Sequence, residues 1–163
     1  MSDTFDFGWG AVPARKHPRG GGWVACTATV TETATVDSDA RVWGNAQVWG
    51  DAQVSGHAQV WGNAMVWGHA QVWGNAQVST PILCASRSDG HLFVIAPTQD
   101  KTLVIMAGCR YFTLDDARTH WRTTRKGTRL GTESLLLVDH LEAMARLAGW
   151  SGKPRRRVAG KKK

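Results

Sequence analysis

Val42–Val78 reads VWGNAQVWGDAQVSGHAQVWGNAMVWGHAQVWGNAQV, six near-copies of one six-residue phrase and a closing valine. Followed in both directions, valine recurs every six residues from Val24 to Val78, and alanine stands two residues before it from Ala28 to Ala76. Small and branched apolar side chains thus alternate with polar ones, the period-2 pattern of a strand with one buried side. A six-residue period keeps no single face on an α-helix, so helix is excluded. Gly44, Gly50, Gly56, Gly62, Gly68 and Gly74 interrupt the strands and are followed by Asn, Asp or His, residues that accept turn conformations. Each hexad is therefore a short strand and a corner.

A strand this short cannot bury its valine in a hairpin. Coils stacked about 4.8 Å apart give every backbone group a partner above or below, which is a parallel β-helix. The pattern of Val42 with Ala46 and Val48 with Ala52 resembles the hexapeptide-repeat superfamily. That resemblance implies a left-handed coil with three hexads per turn, so the nine hexads of residues 27–80 make about three coils, and Gly21 to Cys26 a partial tenth hexad. Valine and alanine then fill a narrow interior and tryptophan points outward. Three hexads per turn place Trp43 with Trp61 on one wall, Trp49 with Trp67 on a second, and Trp73 above Ser55 on a third.

The flanks read differently. Residues 1–26 are rich in Gly and Pro without periodicity and are expected to form an extended cap. Residues 81–150 read as a small α+β unit of three strands and two helices. ILCASRS and HLFVIAP pair as a hairpin through a two-residue turn at Asp89 and Gly90, and TLVIMAGCRYF is the third strand. Thr113 caps a helix over LDDARTHWRTTR with Leu114, Ala117 and Trp121 on one face, and Thr132 caps a second over ESLLLVDHLEAMARLA. Leu137, Leu141, Met144 and Ala148 form the inner face of that second helix, and Gly149 ends it. The expected fold class is mainly β, a left-handed parallel β-helix followed by this unit, with a basic disordered tail at residues 151–163.

Charge locates itself in that tail. KPRRRVAGKKK holds seven of the twenty basic residues, and without it thirteen Lys and Arg face thirteen Asp and Glu. Lys153, Arg155, Arg156, Arg157, Lys161, Lys162 and Lys163 are thus the candidate contacts to nucleic acid, through sequence-independent phosphate neutralisation. A solvated basic end is the competing reading, and Arg122, Arg125, Lys126 and Arg129 would extend the patch. Cys26, Cys84 and Cys109 are odd in number and lack CxxC spacing, so they read as buried free thiols. No apolar run is long enough to span a membrane and the N-terminus lacks signal-peptide blocks, which predicts a cytoplasmic protein.

HPRGGGWVA at His17 to Ala25, the AxVxGN hexads, and GCRYFTLDD at Gly108 to Asp116 together resemble hexapeptide-repeat proteins of bacteriophages and prophages. The resemblance implies a viral accessory protein and supplies no catalytic residue. Acyltransferases of the superfamily use a histidine base beside a groove between subunits; here the hexads run without an inserted loop, and His57 and His69 stand at corners where Asn or Asp stand elsewhere. Those two histidines are twelve residues apart and fall on different edges of the prism, so no zinc site of the γ-carbonic-anhydrase kind is signalled. The sequence therefore predicts a non-enzymatic binding or assembly protein without cofactor or metal. It is expected to form a trimer or dimer through Trp43, Trp49, Trp61, Trp67 and Trp73, and to engage a host protein or signalling ligand, one class being an inhibitor or sponge of host defence. An acyltransferase using a coenzyme A thioester and a nucleic-acid-associated protein are the alternatives.

Overall fold

Each hexad contributes a two-residue strand that ends on its valine. In the computed structural model, which describes residues 3–150, the chain enters as a hairpin of β1 (Asp3–Asp6) and β2 (Ala11–Lys16). It then coils. The first wall stacks β3 (Trp23–Ala25), β6 (Arg41–Val42), β9 (Gln59–Val60) and β12 (Gln77–Val78). The second stacks β4 (Thr29–Val30), β7 (Gln47–Val48) and β10 (Met65–Val66), and the third β5 (Thr35–Val36), β8 (Gln53–Val54) and β11 (Gln71–Val72).

All wall pairings are parallel with an eighteen-residue step, so Val42 lies on Val60 and Val60 on Val78. The ladder is regular: Trp43 N–H donates to Val60 C=O at 3.0 Å and Gln47 N–H to Ala64 C=O at 2.9 Å. From Val36 to Val78 every hexad valine is 0% exposed, as is every alanine from Ala34 to Ala76, so burial alternates as the pattern requires. At the corners Gly44 has φ +69°, and a Cβ there would sit 2.9 Å from Gly62 N in the next coil. Both the backbone hand and the close coil spacing demand glycine.

The N-terminal cap is more ordered than its composition suggests. β2 pairs antiparallel with β3 and β1 with β2, extending the first wall outward. Between β2 and β3 the HPRGGG loop lies over the first coil, where Gly22 N–H donates to Val36 C=O and Val36 N–H to Arg19 C=O, both at 2.9 Å. His17 is 2% exposed, with Nε2 3.2 Å from Thr31 C=O and Nδ1 3.1 Å from Arg19 C=O, which fixes the loop.

At the other end four strands, not three, form an antiparallel meander: β13 (Leu83–Ser86), β14 (Leu92–Pro97), β15 (Leu103–Ala107) and β16 (Arg110–Thr113). The apolar run expected as one strand breaks at Gly108, whose φ of +58° turns the chain so that Ala107 pairs with Arg110. The β13–β14 turn holds three residues rather than two. Gly90 N–H donates to Arg87 C=O, Gly90 has φ +84°, and Arg87 N–H closes the loop on His91 C=O at 2.8 Å.

Helix α1 (Leu114–Thr124) is capped by Thr113 as expected. Helix α2 (Arg129–Leu147) starts a turn earlier than the sequence reading placed it: Thr128 is the cap, its hydroxyl accepting from Gly131 N–H at 3.1 Å, and Thr132 lies inside the helix. Glycine is required at position 131, because a Cβ there would come 2.1 Å from Arg125 C=O. Packing against the meander and α1 buries the face of Gly131, Ser134, Val138, Leu141 and Ala145, so Leu141 is inside as expected while Met144 and Ala148 are exposed.

The meander is two-sided. Val94, Ala96 and Met106 join the valine core of the solenoid, whereas Phe93, Ile95 and Ile105 pack with Trp121, Val138 and Leu141 of the helices. Burial on both faces explains why HLFVIAP and TLVIMA are near-continuous apolar runs. Arg118 ties α1 to α2 through Asp139 at 2.7 Å and through Glu142, which Arg146 also contacts. Burial opposes ionisation of Glu142, but these guanidiniums outweigh it and hold its carboxyl below the ordinary range. Cys26 and Cys109 are exposed because both occupy turns; Cys84 is half-buried, and desolvation pushes its thiol up.

Candidate interface on the solenoid walls

Outward tryptophan positions follow from valine pointing in, and the three walls treat them differently. On the first, Trp43 and Trp61 stack at 5.2 Å with an 8° interplanar angle. Phe7 continues the stack onto Trp43 at 5.4 Å, Phe5 meets Phe7 at 4.9 Å, and Trp23 stacks on Phe5 at 4.7 Å. Arg41 and Lys16 lie over the Phe5 and Trp23 rings, adding cation–π attraction. The N-terminal hairpin thus takes up much of this wall's aromatic surface, and both tryptophans are half-buried.

On the third wall Trp73 turns to the C-terminal unit. Its ring centroid is 5.2 Å from that of Tyr111, and its backbone N–H donates to Met106 Sδ at 3.2 Å. Burial pushes the Tyr111 phenol up. Tyr111 also packs over the corner below, where a Cβ on Gly74 would come 2.7 Å from its ring.

The second wall keeps its rings free. Trp49 is 39% and Trp67 42% exposed, and no ring stack like that of Trp43 and Trp61 joins them. Thr29, Thr31, Gln47 and Met65 complete its outward positions, so the face carries no charge. Charge begins at the corner beside it, where Asp51 and His69 of successive coils lie 3.7 Å apart.

His69 and His57 are both exposed corner residues. Among the described residues no three metal-ligating side chains come together, and no helix is long and apolar enough to cross a membrane. Lys153, Arg155, Arg156, Arg157, Lys161, Lys162 and Lys163 lie outside the described residues. Sequence reasoning missed a polar concavity between the meander and the helices, because its residues come from strands, loops and a helix that are far apart in the chain. No family model, curated protein or solved structure matches the chain at a significant level, so its β-solenoid of about three turns stands on the coordinates and the repeat alone.

Proposed function

We propose that this is a non-enzymatic assembly protein of the hexapeptide-repeat, phage-encoded kind, which self-associates through its second wall and engages a host component with its remaining surface. The exposure of Trp49 and Trp67 on an uncharged face carries the reading, since the other two walls direct their tryptophans at the chain's own ends. A neutral wall with amide, hydroxyl and indole donors is self-complementary, which suits a second copy of the chain in a two-fold pairing.

The gain from burying these rings and the cost of association are of the same order. A free indole offers up to about 250 Å², so the exposed two-fifths of each ring is roughly 100 Å², and four such rings across a dimer contribute about 10 kcal/mol gross. Lost translation and rotation offset about 4–15 kcal/mol of that.

Light scattering coupled to size exclusion at about 50 µM tests the proposal. The expected mass is a multiple of 17.8 kDa, falling to one chain in the Trp49→Gln/Trp67→Gln variant with an unchanged circular dichroism spectrum. A wild-type monomer at that concentration, or a double variant of undiminished mass, would overturn it. A threefold mass would keep the wall as the interface and replace the two-fold pairing with a ring.

A further inference from the structure

We propose that the cleft where the β13–β14 loop, the β15–β16 turn and the α1–α2 connection converge binds a small phosphorylated molecule. The cleft has a volume of about 460 Å³, inside the range of small-molecule sites. Its floor is apolar and rigid: Phe93 and Trp121 are 0% and 3% exposed, with ring centroids 5.0 Å apart. Its walls are basic and hydroxylated. Arg110 is the first residue of β16, Arg125 and Thr128 come from the α1–α2 connection, and His120 and Thr124 from α1.

The charge balance of the cleft is one-sided. No carboxylate lines it, and among the described residues neither Arg110 nor Arg125 forms an ion pair. Arg87 also lines it but is already satisfied, its Nη2 bonded to Asp89 at 2.6 Å and its Nη1 to Ser134 Oγ at 2.9 Å. The acids beside this loop are committed: Asp89 to Arg87, with His91 3.9 Å away, and Glu133 to Arg129 at 2.7 Å and to Ser88 N–H at 3.1 Å. Arg110 and Arg125 remain unneutralised. Their field is felt by His120, which is held below the ordinary imidazole range by burial first and by these two guanidiniums next.

The N-terminus of α2, nineteen residues long, opens onto the same space through its cap Thr128 and adds a positive dipole end. Two guanidinium forks and an imidazole match the several oxygens and double charge of a phosphate better than the single charge of a carboxylate, while the Thr124 and Thr128 hydroxyls donate to His120 C=O at 2.8 Å and Arg125 C=O at 2.9 Å. The floor rings Phe93 and Trp121 are buried and offer no face for bases to stack on, which suits a compact ligand rather than a nucleic-acid strand. None of the lining residues belongs to the second wall, so the site is independent of the proposed self-association.

Calorimetry with pyrophosphate as the probe on the full chain, paired with NMR titration of the His120 imidazole, tests the site. Binding is expected at sub-millimolar concentration, weakened at least tenfold by Arg110→Gln or Arg125→Gln, and unaffected by Arg122→Gln, an exposed neighbour on α1 outside the cleft. Bound pyrophosphate should raise the His120 midpoint, because an anion replaces uncompensated positive charge beside the ring. No heat and no His120 response at 2 mM pyrophosphate would overturn the proposal. So would undiminished affinity in the double arginine variant, or an RNA oligonucleotide that binds the cleft and is not displaced by pyrophosphate.

Discussion

Val60 and Trp61 are neighbours in the chain with opposite environments, and that contrast carries most of what a single residue can say about this fold. Val60 is 0% exposed between Val42 and Val78, so Val60→Asp places a carboxylate where no donor or counter-charge reaches it, at a cost of several kcal/mol. Trp61→Gln puts outside a side chain that the repeat already uses on that face, and forfeits mainly the stack on Trp43, about 0.5–1.5 kcal/mol. Thermal denaturation should therefore find Val60→Asp unfolded or nearly so and Trp61→Gln within a few degrees of wild type. The inward or outward direction of these residues was legible from alternation alone. What covers the outward ones was not, because the contacts of Trp43 with Phe7 and of Trp73 with Tyr111 span 36 and 38 residues and follow no local pattern.

The α2 start shows how an element can be read correctly and placed wrongly. Thr128 and Thr132 are four residues apart and both suit a cap, and the glycine at 131 makes the later start look natural on propensity. Packing decides otherwise, since α2 approaches Arg125 so closely that only glycine fits at position 131. Thr128→Ala should cost about 1 kcal/mol in chemical denaturation, whereas Thr132→Ala, which loses only a back-bond to Thr128 C=O inside the helix, should change stability by a few tenths at most. Equal losses in the two variants would contradict the observed helix start. The fourth strand escaped the sequence for a related reason: a turn of two residues, Gly108 and Cys109, inside an apolar run leaves the alternation almost undisturbed. The Gly-rich N-terminus hid a hairpin because its pairing partner is the first rung of the solenoid, and pairing to an existing edge needs little intrinsic strand propensity.

The meander serves both parts of the molecule at once. Met106, Val94 and Ala96 belong to the same core as the stacked valines, while Phe93 and Ile105, on the opposite face of the same strands, hold the helices. The solenoid's last coil is therefore closed by a sheet that is itself half of another core, and neither can lose its partner without exposing apolar surface. Denaturation followed by helical circular dichroism, which reports α1 and α2, and by the fluorescence of the solenoid tryptophans should give superimposable transitions. Two separated midpoints would mean that the core shared across Met106 does not couple the parts.

The eighteen-residue step makes the solenoid an angular index as well as a stack. Removing one full coil would shorten the axis by about 4.8 Å and leave every wall facing as before. Removing one hexad would instead turn everything beyond it by a third of a revolution, because three walls share each coil. The N-terminal hairpin and the phosphate cleft sit at opposite ends of that axis, so chain length in units of six sets their relative bearing, and length in units of eighteen sets only their separation. Insertions and deletions in this repeat are thus quantised changes of orientation, available without altering a single core contact type.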